Sequence, residues 1–162
     1  MPVVYTASSD KTIARWSYNI TGHLTLDFLQ FMNDEILAFD VHPSGFYLMI
    51  CFNSYIRYGN ILSGNVKKSG KIDFPTPKGE ITKGYLDIKG CKEIRFSNGG
   101  HLFACNDNTH ILVYKFWTLE LLNKFSFHKS TVKILSWLDD DTGLASAAND
   151  YQILFWKISK FP

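Results

Sequence analysis

Three side chains near the end of the chain carry the groups that a hydrolase needs. His128, Ser146 and Asp150 supply a base, a hydroxyl and a carboxylate. In a hydrolytic triad the imidazole takes the hydroxyl proton while a buried acid holds the ring. The Gly-x-Ser-x-Gly turn that exposes such a serine does not occur in the sequence. Trp156 follows Asp150 by six residues, and the same spacing joins Asp10 to Trp16. Thr6 precedes Asp10 by four residues, as Ser146 precedes Asp150. A spacing that recurs at both ends of a chain argues for a structural set of hydrogen bonds. A buried carboxylate is costly unless it is satisfied, and an imidazole, a hydroxyl and an indole can satisfy it in one line. No residue is therefore assigned a catalytic role, and the chain reads as a non-enzyme.

The remaining candidates point away from metals and cofactors. Asp139-Asp140-Asp141 suggests calcium, but the ligand spacing of a calcium loop is absent and a turn explains it. His23, His42, His101, His110 and His128 lack the spacing of a zinc site. Cys51, Cys91 and Cys105 are odd in number and form no Cys-x-x-Cys pair, so buried free thiols in a reducing compartment are expected. Gly99-Gly100 reads as a hairpin turn, not a phosphate cradle. A net charge of +2 gives no strong grip on nucleic acid. No apolar run reaches the roughly 18 residues that cross a membrane, and the start of the chain lacks the features of a signal peptide. Asn19-Ile20-Thr21 matches a glycosylation acceptor and is discounted for that reason. No cofactor, metal, membrane or small-molecule substrate is expected.

The elements that position these residues repeat. Asp10, Asn53, Asn108 and Asp150 each stand six residues before Trp16, Gly59, Tyr114 and Trp156, at intervals of 43, 55 and 42. A WD repeat has a period of about 40–45 residues. Short apolar strands precede these turns at 3–7, 47–52, 102–105 and 144–148, and follow them at 12–16, 55–61, 110–116 and 152–158. Inner strands are expected at 36–41, 91–96 and 132–137, and outer ones at 24–30, 84–88 and 119–127. Gly, Pro, Asn and Asp clusters such as His42-Pro43-Ser44-Gly45 mark the reversals. The 46% hydrophobic and 15% aromatic content excludes disorder and favours strands. The expected fold is all-β: a partial WD40-type β-propeller of about four blades, each an antiparallel four-stranded sheet, with a ring that this chain does not close. Blade segments fall at about 1–30, 31–88, 89–127 and 128–162, with a lysine-rich insertion at 64–83. Within a blade of this kind, His128, Ser146, Asp150 and Trp156 form one hydrogen-bonded set. Thr6, Asp10 and Trp16 form the corresponding set of the first blade. Gly22-His23 is a candidate for the Gly-His of the second. The chain opens inside a second strand and stops after a third, so it is expected to be part of a longer protein or to be completed by a partner.

A narrower resemblance rests on the central stretch. Asp40-Val41-His42-Pro43-Ser44-Gly45-Phe46-Tyr47 is followed by Ile56-Arg57-Tyr58-Gly59-Asn60-Ile61-Leu62, then by Ile88 through Ala104, and by Trp137-Leu138-Asp139-Asp140-Asp141-Thr142-Gly143. These segments resemble the cilia- and flagella-associated WD-repeat proteins of the axoneme. Gly59 stands where an aromatic would end the strand, and Phe127 replaces the Gly of Gly-His. The resemblance implies a scaffold of doublet microtubules, found at inner-arm dyneins and their regulatory and tether assemblies. Its partners would be proteins such as tubulin, dynein or associated scaffolds. The insertion lysines Lys67, Lys68, Lys71, Lys78 and Lys83 read as a solvated loop, with contact to an acidic partner as the alternative reading. The competing function is a substrate- or cargo-recruiting adaptor of another cytoplasmic complex.

Overall fold

A computed structural model describes residues 2–61, 72 and 85–159. All regular structure among these residues is antiparallel strand, in four separate sheets. The first sheet holds β1 (Val3–Ala7), β2 (Thr12–Tyr18) and β3 (Leu24–Phe31) in that order. The second holds β4 (Ile36–Val41), β5 (Tyr47–Phe52), β6 (Ile56–Asn60) and the short β7 (Tyr85–Leu86). The third runs from β8 (Ile94–Phe96) through β9 (Leu102–Asp107) and β10 (His110–Lys115) to β11 (Leu121–Ser126). The fourth holds β12 (Val132–Trp137), β13 (Gly143–Ala148) and β14 (Ile153–Lys157). Each is a meander in which sequence neighbours pair, and successive sheets stack face to face as blades. The expectation of four strands per blade holds for the inner two sheets. Among the described residues the outer two have three strands each, with β1 and β3, and β12 and β14, at their edges.

The sequence explains which strands lie deepest. β9 and β10 are covered on both faces and read as nearly unbroken apolar runs, LFAC and ILVY. A strand covered on both sides has no polar face to alternate with. β14 alternates between exposed and half-buried positions because only one of its faces is covered. Three apolar cores lie between consecutive sheets. Ile13, Phe28, Leu48 and Ile50 fill the first gap. Met49, Cys51, Phe103 and Leu112 fill the second, and Leu102, Val113, Leu135 and Leu144 the third.

Along the inner rim β1 lies against β4, β4 against β8, and β8 against β12. Directional bonds tie these neighbours. The Phe96 N–H donates to Asp40 Oδ2 at 2.7 Å, and the Trp137 indole donates to the Arg95 carbonyl at 3.1 Å. Burial pushes the Asp40 carboxyl up, although the Phe96 N–H and nearby Arg95 oppose it. Two turns are tied as well. Asp141 accepts from the backbone N–H groups of Asn98 and Gly99 at 2.8 and 2.7 Å, and Asp140 accepts from the N–H and hydroxyl of Thr142. Asp140 thus closes its own turn and Asp141 grips the previous one.

Two positions differ from the sequence reading. Gly22-His23 is not the Gly-His of the second blade. It sits in the exposed β2–β3 hairpin, where Gly22 takes a φ of 81° and the His23 ring meets the Thr21 hydroxyl. Ile72 lies inside the segment read as a solvated insertion, yet it is buried in the core between the first two sheets. Gln30 holds it by its backbone, accepting from the Ile72 N–H at 2.8 Å and donating to its carbonyl at 3.2 Å. Lys67, Lys68, Lys71, Lys78 and Lys83 lie outside the described residues.

Candidate functional site

The residues His128, Ser146, Asp150 and Trp156 meet in the last sheet. Ser146 is on β13 and Trp156 on β14, two register positions apart, since Ser146 pairs with Leu154 and Leu144 with Trp156. Alternation along the strands therefore puts both side chains on the face that packs against the third sheet. His128 comes from the connection before β12, and Asp150 from the β13–β14 turn. The Trp156 indole donates to Ser146 Oγ at 2.7 Å. Ser146 Oγ lies 2.7 Å from His128 Nε2, and His128 Nδ1 lies 2.9 Å from Asp150 Oδ2. An ionised carboxylate only accepts, so Nδ1 donates to it and Nε2 accepts the serine proton. Every group in the line is then satisfied. Asp150 Oδ2 also accepts from the Lys129 N–H at 3.0 Å. Burial raises the Asp150 carboxyl, but the Lys129 N–H, the His128 ring and the Gln152 N–H outweigh it and hold the net value below the usual carboxylate range.

These are the distances of a hydrolytic triad, but the serine is shut away. Ser146 is 1% exposed, and its oxygen already accepts from the indole. No acyl group reaches it in this conformation. Its bonds join the β12 connection to the β13–β14 turn and to the strands beneath.

The first sheet holds part of the same arrangement. The Trp16 indole donates to Thr6 Oγ1 at 3.0 Å. Asp10 does not join them: its carboxylate accepts from the Thr12 N–H at 3.0 Å and from the Thr12 hydroxyl. The carboxylate is satisfied in its own turn, and the Thr12 bonds lower its pKa.

The third sheet fills the equivalent places differently. Register places Phe103 opposite Tyr114 and Cys105 opposite Leu112, as Leu144 faces Trp156 and Ser146 faces Leu154. Cys105 thus stands where Ser146 does. The task of Asp150 falls to Asn106, whose Oδ1 accepts from the Lys92 and Glu93 N–H groups at 2.8 and 3.0 Å. Cys91, just before Lys92, takes the place of His128. Asn108, which the spacing singles out, instead reaches into the next sheet and accepts from the Thr131 hydroxyl at 3.0 Å. Asn106 and Cys91 could have been found from sequence only by aligning on the strand register, not on the turn.

His42 is a further residue the spacing does not single out. It is buried at the turn before β5, and its Nε2 lies 2.9 Å from the Gly100 carbonyl of the next sheet. Around it gather Tyr47, Phe96, Phe116 and Trp117, with ring centroids 4.9 to 5.9 Å from the imidazole. Beside this cluster a cavity of about 150 Å³ opens among Tyr47, Tyr58, Phe116, Trp117 and Leu119. Trp117 is 61% exposed there.

Four antiparallel sheets stacked blade on blade, in a ring left open, define a partial β-propeller. The chain is homologous to cilia- and flagella-associated protein 57. It is 34% identical to the form named cilia- and flagella-associated protein 57 C of Tetrahymena thermophila over 98% of this chain. It is 32% identical to cilia- and flagella-associated protein 57 of Mus musculus, again over 98% of this chain. The 77 kDa echinoderm microtubule-associated protein of Lytechinus variegatus is 26% identical over 93% of this chain. The chain spans 12%, 11% and 21% of the lengths of these three relatives. No family model matches it. The homology to cilia- and flagella-associated proteins supports a location in the cilium or flagellum.

Proposed function

We propose that this chain is a WD-repeat portion of a non-enzymatic protein–protein interaction scaffold in the ciliary axoneme, associated with doublet microtubules and with inner-arm dynein regulatory or tether complexes. Similarity to cilia- and flagella-associated protein 57 along almost the whole chain is the observation that carries this reading. The relative named as microtubule-associated adds a cytoskeletal direction. The physical argument is compatible. A stack of rigid sheets presents many turns to partners, and binding resides on such loops and not in the fold. The hydroxyl, imidazole and carboxylate that could have done chemistry are used to hold one sheet together.

Tagging the protein in a ciliated cell and fractionating its axonemes tests the proposal. The tagged chain should stay with demembranated axonemes and be released with the high-salt fraction that carries inner-arm dyneins. Recovery in the soluble fraction, bound to a ubiquitin ligase or a trafficking coat, would overturn it in favour of a recruiting adaptor. The segment carrying Lys67, Lys68, Lys71, Lys78 and Lys83 is proposed as a contact for an acidic partner such as the tubulin surface. Attraction between exposed charges is screened by salt. Replacing the five lysines with glutamine should then weaken co-sedimentation with microtubules at low ionic strength and flatten its salt dependence. Unchanged sedimentation would remove this segment as a site.

A further inference from the structure

Three thiols converge between the second and third sheets. Cys51 projects from β5, Cys105 from β9, and Cys91 from the connection that precedes β8. Each is 0% exposed, and all three belong to the same apolar core. The Cys51 and Cys91 sulfurs are 3.3 Å apart, inside van der Waals contact for two sulfur atoms, and Cys91 Sγ lies 3.2 Å from the Glu93 carbonyl. The cysteines of the third sheet hold the positions of His128 and Ser146, so a polar set has been replaced by sulfur and then joined by a third sulfur from the neighbouring sheet.

We propose that Cys51 and Cys91 form a reversible disulfide on exposure to hydrogen peroxide, cross-linking the second sheet to the third. In the step proposed, Cys91 attacks first, because it is the sulfur on which the Cys51 thiol converges at 3.3 Å. The Cys105 and Cys51 thiols both donate to it, which lowers its pKa despite burial. Burial pushes the Cys51 thiol up, and the bond to Cys91 together with burial pushes Cys105 up. The thiolate is the reactive form of cysteine. Cys91 attacks one peroxide oxygen, the O–O bond breaks, and hydroxide leaves, giving the sulfenic acid. The Cys51 sulfur then attacks the oxidised sulfur, the S–O bond breaks, and water leaves with the Cys51 proton. In sum, two thiols and one peroxide yield one disulfide and two waters. Peroxide is small and uncharged, as an oxidant must be to enter a closed apolar core during local opening. The linked residues are 40 positions apart, so the bond closes a long loop across two sheets.

The three cysteines fall on three separate tryptic peptides, Trp16–Arg57, Gly90–Lys92 and Phe96–Lys115. The folded chain is treated with hydrogen peroxide, its remaining thiols are alkylated during denaturation, and the digest is mapped without reductant. The expected product joins Trp16–Arg57 to Gly90–Lys92, short of two hydrogens and cleaved by dithiothreitol. The oxidised chain should melt about 5 °C or more above the reduced one. Cys105→Ala should keep the cross-link, and Cys91→Ala should abolish it. A product joining Gly90–Lys92 to Phe96–Lys115, or full alkylation of all three thiols after peroxide, would overturn the assignment.

Discussion

At the scale of single residues, the bonded line from Trp156 to Asp150 shows how one sheet resolves a buried charge. Removing the indole costs both a bond and the stacking on Phe125, whose ring centroid is 4.8 Å away. Trp156→Ala should lower unfolding stability by about 3 kcal/mol in urea titration, near the low end for aromatic deletions because the ring is only partly buried. An unchanged midpoint would argue that the set contributes nothing. Asp150 adds a pH dependence. Its native pKa is lowered, so ionisation favours the folded chain. That contribution is complete above the ordinary aspartate value of about 3.9 and is lost as pH falls through the lower native value. Asp150→Asn should flatten the acid limb of the stability curve, which melting curves at a series of pH values would reveal. This set was legible in the sequence because its spacing repeats. Spacing groups Asp10 with Thr6 and Trp16, whereas its carboxylate accepts from Thr12 in its own turn, a local capture that spacing does not show. Spacing does not single out His42, because its partner, the Gly100 carbonyl, belongs to another sheet and carries no side-chain signature.

At the scale of elements, apolar runs and turn residues located the strands, and the inner strands β4 and β12 fall where the alternation put them. The start of β8 did not. Periodicity predicts a strand from Cys91, but pairing begins at Ile94, since Lys92 and Glu93 give their N–H groups to Asn106 instead of to a ladder. Side-chain capture of backbone donors leaves no trace in hydrophobic periodicity. Close approach is equally silent. Gly143 opens β13 opposite Lys157, and a methyl group there would overlap the carbonyl oxygen of Trp156. Gly143→Ala should therefore cost about 2 kcal/mol through displacement of β14. Loss of protection of the β13–β14 amides in hydrogen exchange would localise the damage, and normal protection there would refute the clash.

At the scale of the whole molecule, the two end sheets differ from the inner two in what they leave uncovered. The outward face of the last sheet carries Ile134, Ile153 and Phe155 at 58, 69 and 74% exposure. On the first sheet Leu26, Leu29 and Phe31 are exposed in the same way. Apolar surface grouped like this drives association. In sedimentation the 162-residue polypeptide should gain mass with concentration, and the pair Ile153→Lys and Phe155→Lys should return it toward monomer. A monomer at all concentrations would mean that these faces are tolerated in water. The sequence conveyed the stacked architecture because each sheet repeats one pattern. It did not convey how neighbours are fastened, because Asp40 to Phe96, Asp141 to Asn98 and Gly99, and His42 to Gly100 join positions far apart in the chain.

That fastening has a mechanical consequence. Continuous ladders stiffen each sheet, whereas adjoining sheets share an oily seam and a few rim ties such as the Trp137 to Arg95 bond. A load pulling the sheets apart would meet soft joints in series between stiff plates. Stretching the molecule in an optical trap should release one plate at a time, and the peroxide-treated form should lose the yield step of its middle seam.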